Sequence, residues 1–164
     1  MRLLKCSSTG ELSFTKKHVD GEQIPPYAIL SHTWQHGKEV TFDDLEGSAV
    51  NGSKSKSKEG YDKIQFCVQQ AQRDGLNHIW VDTCCINKND STELQHAINS
   101  MFRWYQAADQ CYVYLWDVST VDGCMIDGWE PAFRKSLWFT RGWYVYLFGY
   151  PLMKSKTESY AFTY

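Results

Sequence analysis

Leu3-Leu4 and Leu12-Ser13-Phe14 flank a Ser-Ser-Thr-Gly stretch at 7–10, a pattern that predicts a small hairpin over residues 2–14. Pro25-Pro26 then forces an extended entry into Tyr27-Ala28-Ile29-Leu30-Ser31, an apolar run with the length of a buried strand. It ends in His32-Thr33-Trp34, polar and aromatic groups placed where the strand should emerge. Thr41 to Leu45 reads as a short helix, and the Ser-, Lys- and Gly-rich stretch from Gly47 to Gly60 as a solvated flexible loop. Tyr61, Ile64, Val68 and Ala71 recur at helical spacing until Gly75, a suitable C-cap. His78-Ile79-Trp80-Val81-Asp82 reads as a second buried strand and again finishes in polar chemistry, Asp82-Thr83-Cys84-Cys85. Leu94, Ile98, Met101, Tyr105 and Ala108 form one stripe of a second helix, which Asp90-x-x-Glu93 opens in the manner of a capping box. Cys111 to Leu115 supplies a third strand.

The order strand, helix, strand, helix, strand with short connections predicts an α/β domain in three layers, with a mostly parallel central sheet and a small N-terminal hairpin appended. Ligands and partners of such sheets meet the carboxyl ends of the strands. Ser31 to Trp34 and Asp82 to Asn87 are therefore expected on one rim.

Composition narrows the classes. Of 164 residues, 43% are hydrophobic and 22% charged, and the formal net charge is −2. These values exclude a disordered polyelectrolyte, and no basic stripe with interleaved aromatics suggests nucleic acid. No stretch approaches the length of a membrane span, and no signal peptide stands at the N-terminus, so a cytoplasmic protein is expected. Cysteines 6, 67, 84, 85, 111 and 124 include no C-x-x-C pair and read as buried small hydrophobes. The 25 aromatics are lopsided: seven precede residue 100, and the remainder follow it.

Candidate chemistry gathers at the expected rim. Ser31, His32 and Trp34 put a hydroxyl, an imidazole and a flat ring beyond a strand end, suited to a nucleotide or an aromatic partner; the competing reading has Trp34 cap the core and His32 bond a neighbouring loop. Asp82 could hold a ligand hydroxyl or accept hydrogen bonds from its own loop. Glu93 is, after Asp90, the acid near the start of the long helix, where a cap explains it as well as catalysis does. Cys84 or Cys85 with His32 would make a thiol nucleophile only if the imidazole came within reach, and Cys84, Cys85, His32 and His36 lack zinc-site spacing, so no metal is expected. Arg141 could pair with Asp82 or with a phosphate.

Four blocks together resemble the successive signatures of the fungal heterokaryon incompatibility (HET) domain: Tyr27-Ala28-Ile29-Leu30-Ser31-His32-Thr33-Trp34, Ile79-Trp80-Val81-Asp82-Thr83-Cys84-Cys85-Ile86-Asn87, Ala97-Ile98-Asn99-Ser100-Met101-Phe102-Arg103-Trp104-Tyr105 and Trp138-Phe139-Thr140-Arg141-Gly142-Trp143. The resemblance covers residues 27–143, with 1–26 as hairpin and linker of the same domain and 144–164 as an atypical tail. It implies a flavodoxin-like fold related to TIR domains, used in nonself recognition and programmed cell death, an innate-immunity role. It also implies protein partners, through self-association or other incompatibility proteins. TIR-like domains either assemble signalling platforms or cleave the nicotinamide bond of NAD with a glutamate. In the family's last block that glutamate is expected in a Thr-Leu-Gln-Glu-Leu continuation; here the chain reads Tyr144-Val145-Tyr146-Leu147-Phe148, and Leu147 stands at its place. A leucine can neither carry charge nor accept a hydrogen bond. The expectation is thus a non-catalytic module with no cofactor, its binding candidates being Ser31, His32, Trp34, Asp82, Cys85, Asn87, Glu93, Arg141 and Trp143. The alternatives are an NAD-cleaving hydrolase using Ser31, His32, Asp82 and Glu93, or an inactive truncated fragment whose tail is a gene-model artefact.

Overall fold

The computed structural model describes residues 1–7, 11–19, 22–46, 55–118, 120–121, 124–125, 129–140 and 162–163. Arg141, Trp143, Leu147 and most of the stretch 144–164 lie outside them, as do 8–10 at the predicted hairpin turn and 47–54 in the predicted loop. Leu4–Cys6 (β1) and Leu12–Phe14 (β2) form the hairpin, with Leu4 opposite Phe14. Ala28–His32 (β3) is buried along its whole length, which suits an apolar run covered on both faces. Phe42–Leu45 is a single helical turn (α1), closed by a reciprocal capping box between Thr41 and Asp44. Tyr61–Arg73 (α2) ends as its sequence foretells. Gly75 takes φ +74°, its N–H bonds the Gln72 carbonyl at 3.2 Å, and the Leu76 N–H bonds that of Ala71 at 2.7 Å, the pair of bonds that defines a Schellman stop.

His78–Trp80 (β4), Ser91–Ala107 (α3) and Gln110–Tyr114 (β5) complete the central unit. Thr120–Val121 (β6) and Cys124–Met125 (β7) make a separate two-stranded ribbon; Trp129–Lys135 (α4) and a 3-10 turn at Leu137–Thr140 follow, and Phe162–Thr163 (β8) joins the main sheet. The strand order is β2-β1-β4-β3-β5-β8. Contacts between β4 and β3, β3 and β5, and β5 and β8 are parallel, whereas β1 runs antiparallel to β2 and to β4. The chain is therefore α/β with a mixed, open sheet. The expected mostly parallel sheet with an appended hairpin needs correction: the hairpin is itself part of the sheet, because Leu4 pairs with Ile79.

Alternation along the strands assigns the faces. Trp80, level with Ile29, meets Trp104 and Tyr105 of α3, with ring centroids 5.5 and 6.2 Å away. Tyr112 and Tyr114 meet Phe66 of α2 on the other face, at 6.3 and 5.6 Å. One helix thus covers each face, and fully buried Trp80, Tyr112, Ile29 and Leu30 fill the gaps between layers. Each such side chain stabilises the fold by about 1.5–3 kcal/mol.

Two further expectations are revised. The predicted stripe on α3 is right in part: Leu94, Met101, Tyr105 and Ala108 pack against the core beside buried Ala97, Ser100 and Trp104, while Ile98 is 46% exposed. The end of the lysine-rich stretch is folded, with Ser55 buried and Lys58 donating to the Glu39 carbonyl and the Asp44 carboxylate, at 3.1 and 2.5 Å.

Candidate functional site

Strand β4 stops at Trp80 because the chain turns: the N–H groups of Cys84 and Cys85 both return to the Val81 carbonyl, at 3.3 and 2.8 Å. The turn sets Asp82 beside the end of β3. Its carboxylate accepts from His32 Nε2 at 2.9 Å and from the Trp34 indole N–H at 3.0 Å to each oxygen. The two segments expected on one rim do meet there. Lys88 closes the arrangement, donating to the carbonyls of Asp82 and Thr83 at 3.2 and 2.9 Å while its ammonium lies 4.4 Å from the centre of the Trp34 ring. Burial lowers the Lys88 pKa, with the negative charge of Asp82 opposing that shift.

Behind the rim the polar chain continues inward. His32 Nδ1 lies 3.1 Å from the Thr33 carbonyl oxygen and 3.3 Å from the Lys63 ammonium, and a ring with its proton on Nε2 serves Asp82 and accepts from Lys63 at Nδ1. Lys63, on α2, is itself buried, and donates to the Thr33 carbonyl at 2.8 Å and to Glu39 at 2.5 Å. The Glu39 carboxylate also accepts the Gln35 N–H at 2.6 Å. A buried ammonium is tolerable only with such compensation. Glu39, Lys63, His32 and Asp82 therefore form one hydrogen-bonded line that ends at half-exposed Trp34.

The other candidates separate from this line. Ser31 does not join this line: one residue before His32 on a strand, it faces the opposite side, where its hydroxyl accepts the Trp138 indole N–H at 3.0 Å. Cys84 and Cys85 are buried, and their sulfurs engage the carbonyl and the N–H of Val81, respectively, rather than an imidazole. Burial pushes the Cys84 thiol well above its usual range, the reverse of an activated nucleophile. Glu93 is held away from Asp82 by Arg2 at 3.1 Å, Lys17 at 2.9 Å and the Asn87 N–H at 3.0 Å. The capping-box reading holds only halfway: Asp90 caps α3 through the N–H groups of Thr92 and Glu93, but the Glu93 side chain does not return to it. Asn87 shapes the turn, its side chain accepting the Asn89 N–H at 3.0 Å. Among the described residues no group of three or more His, Cys, Asp or Glu is placed to hold a metal, and no helix is long and apolar enough to cross a membrane.

Lys63, Glu39 and Lys88 escaped the sequence reading, since charged residues on a helix or in a loop are normally solvated. One signal for Lys63 was available: it neighbours Ile64 and precedes Cys67 by one turn, inside the buried face of α2.

Comparison with known proteins takes in the first three of the four blocks. The family model described as heterokaryon incompatibility protein (HET) matches residues 27–129. A curated relative, the vegetative incompatibility protein HET-E-1 of Podospora anserina, is 57% identical over 148 residues, 87% of this chain but 10% of the relative. The chain thus spans about a tenth of that relative's length. No solved structure matches it. The four blocks, the family match over most of the described core and the relative's identity lead to one conclusion: the chain belongs to the heterokaryon incompatibility (HET) family.

Proposed function

We propose that this chain is a HET-type signalling and interaction module of fungal nonself recognition, acting in the cytoplasm through protein association and triggering cell death without catalysis of its own. A role in heterokaryon incompatibility follows from family membership. The non-catalytic reading is supported above all by one observation: Glu93, the acid in the first turn of α3, is tied to Arg2, Lys17 and the Asn87 N–H and not to the His32–Asp82 pair. Leu147 at the position where the family resemblance expects a glutamate points the same way. The TIR-like flavodoxin relationship is kept as part of this proposal, and the one-helix-per-face arrangement is compatible with it.

Two measurements test the proposal. Expression in a fungal host should arrest growth, and normal growth with soluble protein present would overturn the signalling role. Purified protein incubated with NAD should release no nicotinamide above buffer, beside a Leu147→Glu variant assayed in parallel. Release by the unmodified chain would make it the NAD-cleaving hydrolase of the alternative reading.

A further inference from the structure

Trp34 is 49% exposed, yet both its indole N–H and one face of its ring are engaged. Its indole N–H is shared by both oxygens of Asp82, and the Lys88 ammonium, fixed by two carbonyls, covers one face of the ring. Exposed tryptophans normally keep rotamer freedom; one restrained by two groups, the Asp82 carboxylate and the Lys88 ammonium, presents its open face with less entropy to lose on contact.

The location adds a second argument. From β3 the chain crosses one face through α2 to reach β4, then crosses the opposite face through α3 and returns on the far side of β3 as β5. The segments that follow β3 and β5 leave toward opposite faces: Lys63 and Glu39 lie with α2, whereas Trp138 reaches Ser31 on the α3 side. Adjacent parallel strands whose continuations part in this way leave a crevice outside their carboxyl ends, where open α/β sheets bind ligands. His32 is paired with Tyr114, and two residues beyond each stands a half-exposed tryptophan, Trp34 and Trp116.

The ring's own electrostatics select the ligand. A cation on one face draws π density toward it, so the open face is poor at holding a second cation and better suited to stacking on a neutral, electron-rich ring. We propose that the crevice between the ends of β3 and β5 is a binding site for a neutral planar heteroaromatic ring of the nucleobase kind, stacked on the open face of Trp34. This goes beyond the signalling role and is tested apart from it, since binding is read on purified protein and growth arrest in cells.

Adenosine titrated into the purified chain should shift one indole N–H resonance saturably, the one that disappears in Trp34→Phe. Trp34→Phe should bind within a few-fold, because a ring remains, whereas Trp34→Ala should bind about tenfold more weakly or worse while its other indole resonances stay dispersed. Should Trp34→Ala not fold, Trp34→Leu keeps apolar bulk without a π face and is expected to lose binding equally. Tetramethylammonium should shift nothing. Absence of a saturable adenosine shift, undiminished binding by the alanine or leucine variant, or preferential binding of tetramethylammonium would each overturn the proposal. Stacking only by an aromatic peptide and not by adenosine would also overturn it, and would reassign the platform to a protein contact.

Discussion

Glu93 joins three segments that are distant in the chain: Arg2 and Lys17 from the hairpin region, and the Asn87 N–H from the turn that carries Asp82. Burial alone would raise its carboxyl pKa. The Asn87 hydrogen bond, then Lys17 and Arg2, outweigh burial and hold it below the usual carboxylate range. A folded-state pKa below the unfolded value means that this contribution is complete above the unfolded value and is lost as pH falls through the folded one. Lys17 is half exposed, so its share is screened, and the Arg2 and backbone contacts dominate. Glu93→Gln should therefore destabilise the protein by about 2 kcal/mol at neutral pH. The gap to the unmodified chain should narrow as pH falls through the folded-state value, as urea unfolding at neutral and at acid pH would show. A gap that persisted in acid would mean that Glu93 acts through packing and not through charge.

At the scale of elements, the start of α2 depends on a close approach that only glycine permits. A Cβ on Gly60 would stand 2.7 Å from the Lys38 carbonyl oxygen and 2.9 Å from the Glu39 Cα, both backbone atoms that cannot swing aside. Gly60→Ala should cost about 1–3 kcal/mol, read from thermal or urea unfolding. It should also disturb Lys63, because Glu39 links that backbone to the buried ammonium. The sequence made β3, β4, β5 and α2 legible because each buries an uninterrupted or regularly spaced apolar set. On α3 it misplaced Ile98, which is exposed, and overlooked buried Ala97 and Ser100, while Leu94 and Met101 pack against the core as the stripe implies. The reason is steric: Trp80 projects from the sheet against α3, and with Trp104 it fills the interface, leaving room for small Ala97 and Ser100 at that face. The candidate site divides in the same way. His32, Trp34 and Asp82 were visible as polar groups ending apolar runs. The displacement of Ser31 follows from the two-residue period of a strand. Lys63, Glu39 and Lys88 were hidden, because their charges matter through tertiary pairing that no local pattern encodes.

Across the whole molecule, the family match and the folded unit begin at different places. The match starts at residue 27, but the hairpin before it supplies two strands of the sheet and, through Arg2 and Lys17, the partners of Glu93. Without β1, strand β4 would be the border of the sheet, its outward N–H and C=O groups open to any extended chain that passes. The hairpin thus moves that border out to the three-residue β2, and so short an edge strand is a poor template for edge-to-edge association. A chain trimmed to begin at residue 27 should aggregate at concentrations where the 164-residue chain stays dispersed, as static light scattering would measure. Equal scattering by the two would show that another segment shields that edge.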